Sequence, residues 1–189
     1  MKRLFCAAFA LLVTVPFSHA ETRTAVFAGG CFWCMEAVYQ ELEGVNDVVS
    51  GFTGGTIENP TYNGAHDGHY EAIEVTYDSA TITYPELLEI YWRNIDPFDA
   101  AGQFCDKGHS YKAAIFVDDS QREPAEASRK AVVEQFPTET VVTEILEAAK
   151  FWPVEEYHQD YYQKNPVRYK YYKWNCGRQQ RLDDIWGSS

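Results

Sequence analysis

The chain has 189 residues, with 16 Lys and Arg against 28 Asp and Glu, a formal charge of −12. Such acidity argues against nucleic acid or an anionic membrane surface as a partner, because both select basic patches. The length fits one globular domain with a sizeable core, and no repeat, low-complexity run or linker divides it.

Residues 1–20 have the pattern of a cleaved signal peptide. Lys2 and Arg3 form a basic start, Leu4 to Val15 an apolar stretch, and Ser18-His19-Ala20 places small residues at both key cleavage positions. The apolar run is too short to span about 30 Å of hydrocarbon. Export to the periplasm is the expectation, with secretion as the alternative and no membrane attachment after cleavage. Residues 21–189 then form a single domain, and losing Lys2 and Arg3 moves the formal charge from −12 to −14. Removal of Cys6 leaves Cys31, Cys34, Cys105 and Cys176, an even number that structural disulfides alone could explain in an oxidising compartment.

Thr24 to Ala28 reads as a strand ending at Gly29-Gly30. From Cys31 the apolar period becomes helical, through Met35, Val38, Tyr39 and Leu42, with Gly44 as C-cap. Val45 to Phe52 is a second strand, and Thr53 to Gly68 a long polar loop. Ile73, Val75 and Tyr77 alternate along a strand over Glu71 to Tyr77. Thr83 caps a helix with Pro85 in its first turn, and that helix must stop before Pro97. A second polar loop covers Asp99 to Ser110. A strand from Tyr111 to Val117, a helix from Ser120 to Phe136 and a strand from Val141 to Leu146 follow. Beyond Phe151 the chain is aromatic and reads as a long irregular segment with a short helix near Glu155 to Gln163. The predicted fold is α+β, a two-layer sandwich of helices on a mixed β-sheet.

Cys31 lies at a strand-to-helix turn. The preceding glycines permit a tight turn and close approach of a substrate, and a helix N-terminus favours thiolate over thiol. Phe32 and Trp33 suggest a small apolar pocket beside it. The same residues are compatible with a buried, inert thiol between core aromatics. The spacing Cys31-x-x-Cys34 also fits a thiol-disulfide exchange pair, although Phe32-Trp33 is unusual between such cysteines. A zinc site using all four cysteines would ordinarily show a second close pair, which this chain lacks. An exported binding domain with structural disulfides and no catalysis is a further reading.

Gly30-Cys31-Phe32-Trp33 resembles the signature of the A-type peptide methionine sulfoxide reductases. Four further regions agree in order: Pro60-Thr61-Tyr62; Gly68-His69-Tyr70-Glu71; Asp106-x-Gly108-x-x-Tyr111; and Tyr157-His158-Gln159-Asp160-Tyr161 with Asn165-Pro166. The resemblance spans nearly all of residues 21–189. It implies reduction of methionine S-sulfoxide, free or in proteins, with no cofactor and no metal.

By the same resemblance Cys31 is the nucleophile, Glu71 the acid that protonates the sulfoxide oxygen, and Tyr62 and Tyr111 hydrogen-bond donors to it. Asp106 orients water or a tyrosine, and Phe32 and Trp33 hold the methyl group. The implied cycle runs through a sulfenic acid and a disulfide, reset by a thioredoxin-like dithiol protein. A monomer is expected. His69 and His158 are read as structural, and Glu36 as a helix-surface residue.

The chain departs from the commonest family pattern at several points. Cys34 stands where glycine is frequent, the Tyr62–Glu71 loop is short, Cys105 precedes Asp106, and Asn175-Cys176-Gly177-Arg178 replaces a glycine-rich tail. The resolving thiol is therefore open, with Cys176 first and Cys34 and Cys105 as alternatives.

Overall fold

The computed structural model describes residues 21–187. The predicted signal peptide and Cys6 lie outside the described residues. Among the described residues eight strands and six α-helices follow one another: β1 (Thr22–Gly29), α1 (Phe32–Tyr39), β2 (Val45–Thr53), β3 (Tyr70–Asp78), α2 (Tyr84–Arg93), β4 (Gly102–Gln103), β5 (Asp106–Lys107), β6 (Ala113–Val117), α3 (Arg122–Gln135), β7 (Glu144–Glu147), β8 (Trp152–Pro153), α4 (Tyr161–Lys164), α5 (Pro166–Asn175) and α6 (Arg178–Trp186). The fold is α+β, as the alternating elements predict.

The main sheet has the order β7-β6-β1-β3-β2-β8. All its pairings are antiparallel except β6 with β7. Side chains alternate across it. Ala25, Phe27, Ile73, Val75 and Tyr77 join the main core, whereas Ala28, Tyr70, Ala72, Ala114 and Phe116 form a smaller cluster. The main core also takes Phe32, Met35 and Tyr39 from α1, and Leu87, Leu88, Tyr91 and Trp92 from α2. Each fully buried large side chain there contributes about 2 kcal/mol. Two phenols of this layer are satisfied, Tyr39 donating to the Leu87 carbonyl at 2.9 Å and Tyr91 to that of Ala28 at 2.8 Å, whereas the buried Tyr84 hydroxyl has no partner. Helix α2 starts in a capping box, Thr83 Oγ1 accepting from Glu86 N–H while the Glu86 carboxylate accepts from Thr83 N–H.

Three details differ from the sequence expectations. The last segment, expected to be irregular beyond a short helix, carries α4, α5 and α6, broken at Asn165-Pro166 and at Gly177 in the left-handed conformation. The polar loop after Asp99 contains the small β4–β5 hairpin. Glu36, expected on the helix surface, is fully buried, because α4 covers the side of α1 that would otherwise face water. Its carboxylate accepts the Asp160 N–H at 3.0 Å, and burial pushes its pKa up to about 7.

The last helix is fastened to the domain. Arg178 is buried, with Nη2 donating to the Asn94 carbonyl and lying 3.3 Å from Met35 Sδ. Arg181 pairs with Asp96 at 2.7 Å, and Trp186 donates to the Ile95 carbonyl at 3.1 Å.

Candidate active site

The turn from β1 into α1 is made by Gly29 and Gly30, the latter at φ +81°. Cys31 is the N-cap of α1 and its side chain does not cap the helix. The first N–H of the helix, that of Phe32, donates instead to Glu71 Oε2 at 3.1 Å. Glu71 is on β3, two residues before Ile73, so strand alternation turns it toward the helix layer. The helix start thus holds a carboxyl group directly beside the cysteine.

Burial dominates the titration of this carboxyl. Glu71 is 2% exposed, and desolvation pushes its pKa to about 8, against the lowering effect of the Phe32 N–H; nearby Asp106 raises it further. At neutral pH it is mainly a neutral acid able to give up a proton. Tyr111 reaches it from the turn after β5, and Tyr62 approaches from the loop between β2 and β3. Burial pushes both phenols up, Tyr62 to about 12. They remain hydrogen-bond donors throughout the physiological range. The structure thus brings Cys31, Tyr62, Glu71, Asp106 and Tyr111 into one electrostatic neighbourhood.

The aromatic wall is larger than Phe32 and Trp33 alone. Phe32 packs against Tyr62 at 6.0 Å and Phe52 at 5.8 Å between ring centroids. Trp33 stacks on Tyr161 at 3.8 Å and 9°, and on His158 at 5.7 Å. His158 closes against Tyr62 at 4.1 Å. Under this cover Cys31 is only 5% exposed. Tyr161 and Tyr169 cluster with Cys31 and Cys34, and Tyr172 packs at their edge.

The four cysteines fall into two unlike pairs. Cys105 and Cys176 form a disulfide, whereas Cys31 and Cys34 are free thiols. Cys105 is exposed and Cys34 is buried. Two of the four sulfurs considered for zinc are therefore bonded to each other. Cys31 and Cys34 share a hydrogen bond, so the pair loses one proton readily and holds the other. That bond, aided by Arg178, brings the Cys34 thiol down to about 6. Burial is the main cause that pushes Cys31 up, contrary to the thiolate expected at a helix start.

The family model described as peptide methionine sulfoxide reductase matches residues 23–189. The chain belongs to that family. It is 50% identical to peptide methionine sulfoxide reductase MsrA 2 of Caulobacter vibrioides, over 97% of this chain and 96% of the relative. It is 48% identical to MsrA of Bacillus licheniformis, over 89% and 96% respectively. The solved structure of methionine sulfoxide reductase A of Corynebacterium diphtheriae aligns with a TM-score of 0.70 at 28% identity, covering 83% of this chain and 81% of that one.

His66, His69 and His158 all make packing or hydrogen-bond contacts around the site. His69 bonds Ile57 O at 2.9 Å and receives the Gly55 N–H at 3.3 Å, bracing the loop that carries Tyr62. His66 stacks on Phe52. His158 is an aromatic plate whose pKa burial lowers. Sequence reasoning singled out the Tyr157–Tyr161 segment without giving Tyr161 its place on Trp33. It missed Tyr172 altogether, because the segment that carries it was read as irregular.

Proposed function

We propose that this chain reduces methionine S-sulfoxide to methionine, with Cys31 as nucleophile and Glu71 as proton donor. The observation that carries the reading is a buried carboxyl, mainly protonated at pH 7, fixed on the first N–H of the helix that Cys31 caps. A sulfoxide oxygen leaves only if it receives a proton. The Cys31 thiolate attacks sulfur, Glu71 supplies the proton, and Tyr62 and Tyr111 donate hydrogen bonds to the oxygen as its charge grows. Phe32 and Trp33 hold the methyl group. Methionine departs and Cys31 is left as sulfenic acid.

Cys34 is the thiol nearest at hand to condense with it, releasing water and forming a Cys31–Cys34 disulfide. Cys176 and Cys105 become available only after their mutual bond opens. A thioredoxin-like dithiol then supplies two electrons to restore the thiols. A yeast relative of this fold, Mxr1, has been solved in complex with Trx2. The leader read from residues 1–20 supports work in the periplasm.

A single-turnover experiment without reductant tests the scheme. Reduced protein is expected to form about one equivalent of methionine from the S-sulfoxide, following one sulfenic acid per cycle, and peptide mapping should find Cys31 joined to Cys34. Cys31→Ser should form none. Cys34→Ser should form the first equivalent, leave Cys31 trappable as sulfenic acid, and recycle slowly. Turnover by Cys31→Ser would overturn the nucleophile, and unchanged recycling by Cys34→Ser would return the resolving role to Cys176 or Cys105.

The profile of kcat/KM against pH should be bell-shaped. The acid limb follows ionisation of the Cys31–Cys34 thiol pair, and the alkaline limb near pH 8 follows loss of the Glu71 proton. The low pKa of Cys34 also favours a second reading, general thiol-disulfide exchange. Disulfide reductase activity that survives both Tyr62→Phe and Glu71→Gln would support it.

A further inference from the structure

Tyr172 lies on α5, at the edge of the cluster that Tyr161 and Tyr169 form with Cys31 and Cys34. Its hydroxyl donates to Asp106 Oδ2, and its side chain packs against the cluster that holds Cys31 and Cys34, where it favours the Cys31 thiolate. Its ring meets Trp33 edge-on, with centroids 6.1 Å apart and planes at 86°. One turn further on is Cys176, and next to Asp106 is Cys105. The Cys105–Cys176 disulfide therefore joins the same two stretches of chain as the Tyr172–Asp106 hydrogen bond.

A buried thiol has a difficulty that this arrangement answers. Cys31 is 5% exposed, and the groups facing it are Cys34 from α1, Glu71 from β3, Tyr62 and Tyr111 from the two loops, Tyr161 stacked on Trp33, Tyr169 from α5 with its hydroxyl toward Cys34, and Tyr172 from α5. Cys34 competes with Cys31 for the negative charge of the pair, and Glu71, once ionised, repels it. The two loop tyrosines are assigned to the sulfoxide oxygen. Tyr172 is left as a neutral donor for the sulfur itself.

We propose that Tyr172 is a catalytic residue that holds Cys31 as a thiolate, and that the Cys105–Cys176 disulfide is the brace that keeps Tyr172 in place. With the thiol protonated, the Tyr172 O–H points to Asp106 and its oxygen can accept the Cys31 S–H. When the thiol ionises, the sulfur's proton passes to the Tyr172 oxygen as the phenolic proton passes to the Asp106 carboxylate. Tyrosine stays neutral throughout, and its new O–H donates to the thiolate. Asp106, only partly buried, returns the proton to water.

This proposal rests on Cys31 being the nucleophile, and the two are tested separately. In a Cys6→Ser, Cys34→Ser background with the disulfide intact, Cys31 is the only free thiol, so the pH dependence of its alkylation by iodoacetamide reports it alone. Tyr172→Phe keeps the ring against Trp33 and removes only the hydroxyl. The Cys31 titration midpoint is expected to rise by about one pH unit, the effect of one lost charge-assisted hydrogen bond. First-turnover rate at neutral pH should fall about tenfold, while binding of sulfoxide is little changed. A titration coincident with that of the parent would overturn the role, since ring packing alone would leave the midpoint in place. Adding Cys105→Ser and Cys176→Ser should shift the midpoint in the same direction, with no further shift on top of Tyr172→Phe. A full additional shift would overturn the brace. Sulfoxide turnover by Cys31→Ser would sink the functional reading while leaving the titration result interpretable.

Discussion

Glu71→Gln is expected to lose about 10²- to 10⁴-fold in kcat/KM at pH 7, the range set by removal of a positioned acid. It should also make the protein more stable. Glutamine keeps an oxygen for the Phe32 N–H but has no proton to give. The native state holds the Glu71 proton up to about pH 8, whereas an unfolded glutamate releases it near 4.5. The folded pKa is raised, so the associated stability is present below pH 4.5 and is lost progressively as pH rises to about 8. At pH 7 the burden is on the order of 3 kcal/mol. Urea denaturation at pH 5 and at pH 8 checks this. The parent should weaken between the two relative to Glu71→Gln, and the alkaline limb of the activity profile should vanish in the variant. A variant less stable than its parent at pH 8 would contradict the account.

Gly30→Ala is expected to cost about 3 kcal/mol, from a strained left-handed residue and from overpacking. A methyl carbon there would sit 2.6 Å from Gln103 Cβ, at φ +81°. Gln103 cannot readily give way, because its amide donates to the carbonyls of Asp96 and Gly102 and its oxygen accepts the Asp96 N–H, each at 2.8–2.9 Å. The turn itself must move, and Cys31 moves with it. A displacement of about 1 Å costs roughly 10²-fold in rate. Gly177→Ala is the control. It is also left-handed, at φ +66°, but nothing lies within 4 Å of the added carbon, so about 1 kcal/mol is expected. Equal losses at the two positions would remove close approach as the reason for Gly30.

Much of this was legible from residue order because it is local. Alternation at Ile73, Val75 and Tyr77 and the helical spacing of Met35 and Tyr39 placed the strand and helix that hold Glu71 and Cys31. Thr83 and Pro85 marked the start of α2. What stayed hidden depends on contacts between distant parts of the chain. Glu36 is polar by type and lies only five residues beyond Cys31, and nothing nearby shows that Asp160 will cover it. Four cysteines allow three pairings, and a bond across 71 residues has no local signature. Helix α5, rich in tyrosine and lysine on every side, lacks the apolar stripe that would announce it.

The stack of Tyr161 on Trp33 has a bearing on what the enzyme can repair. Cys31 is 5% exposed beneath these rings, so an oxidised side chain must extend past them to reach its sulfur. A methionine pressed into its own protein's surface has no length to spare for that. One on a frayed terminus or an unfolded stretch does. Selection among damaged proteins then follows how far each oxidised residue stands clear of its fold, with the neighbouring sequence a lesser influence.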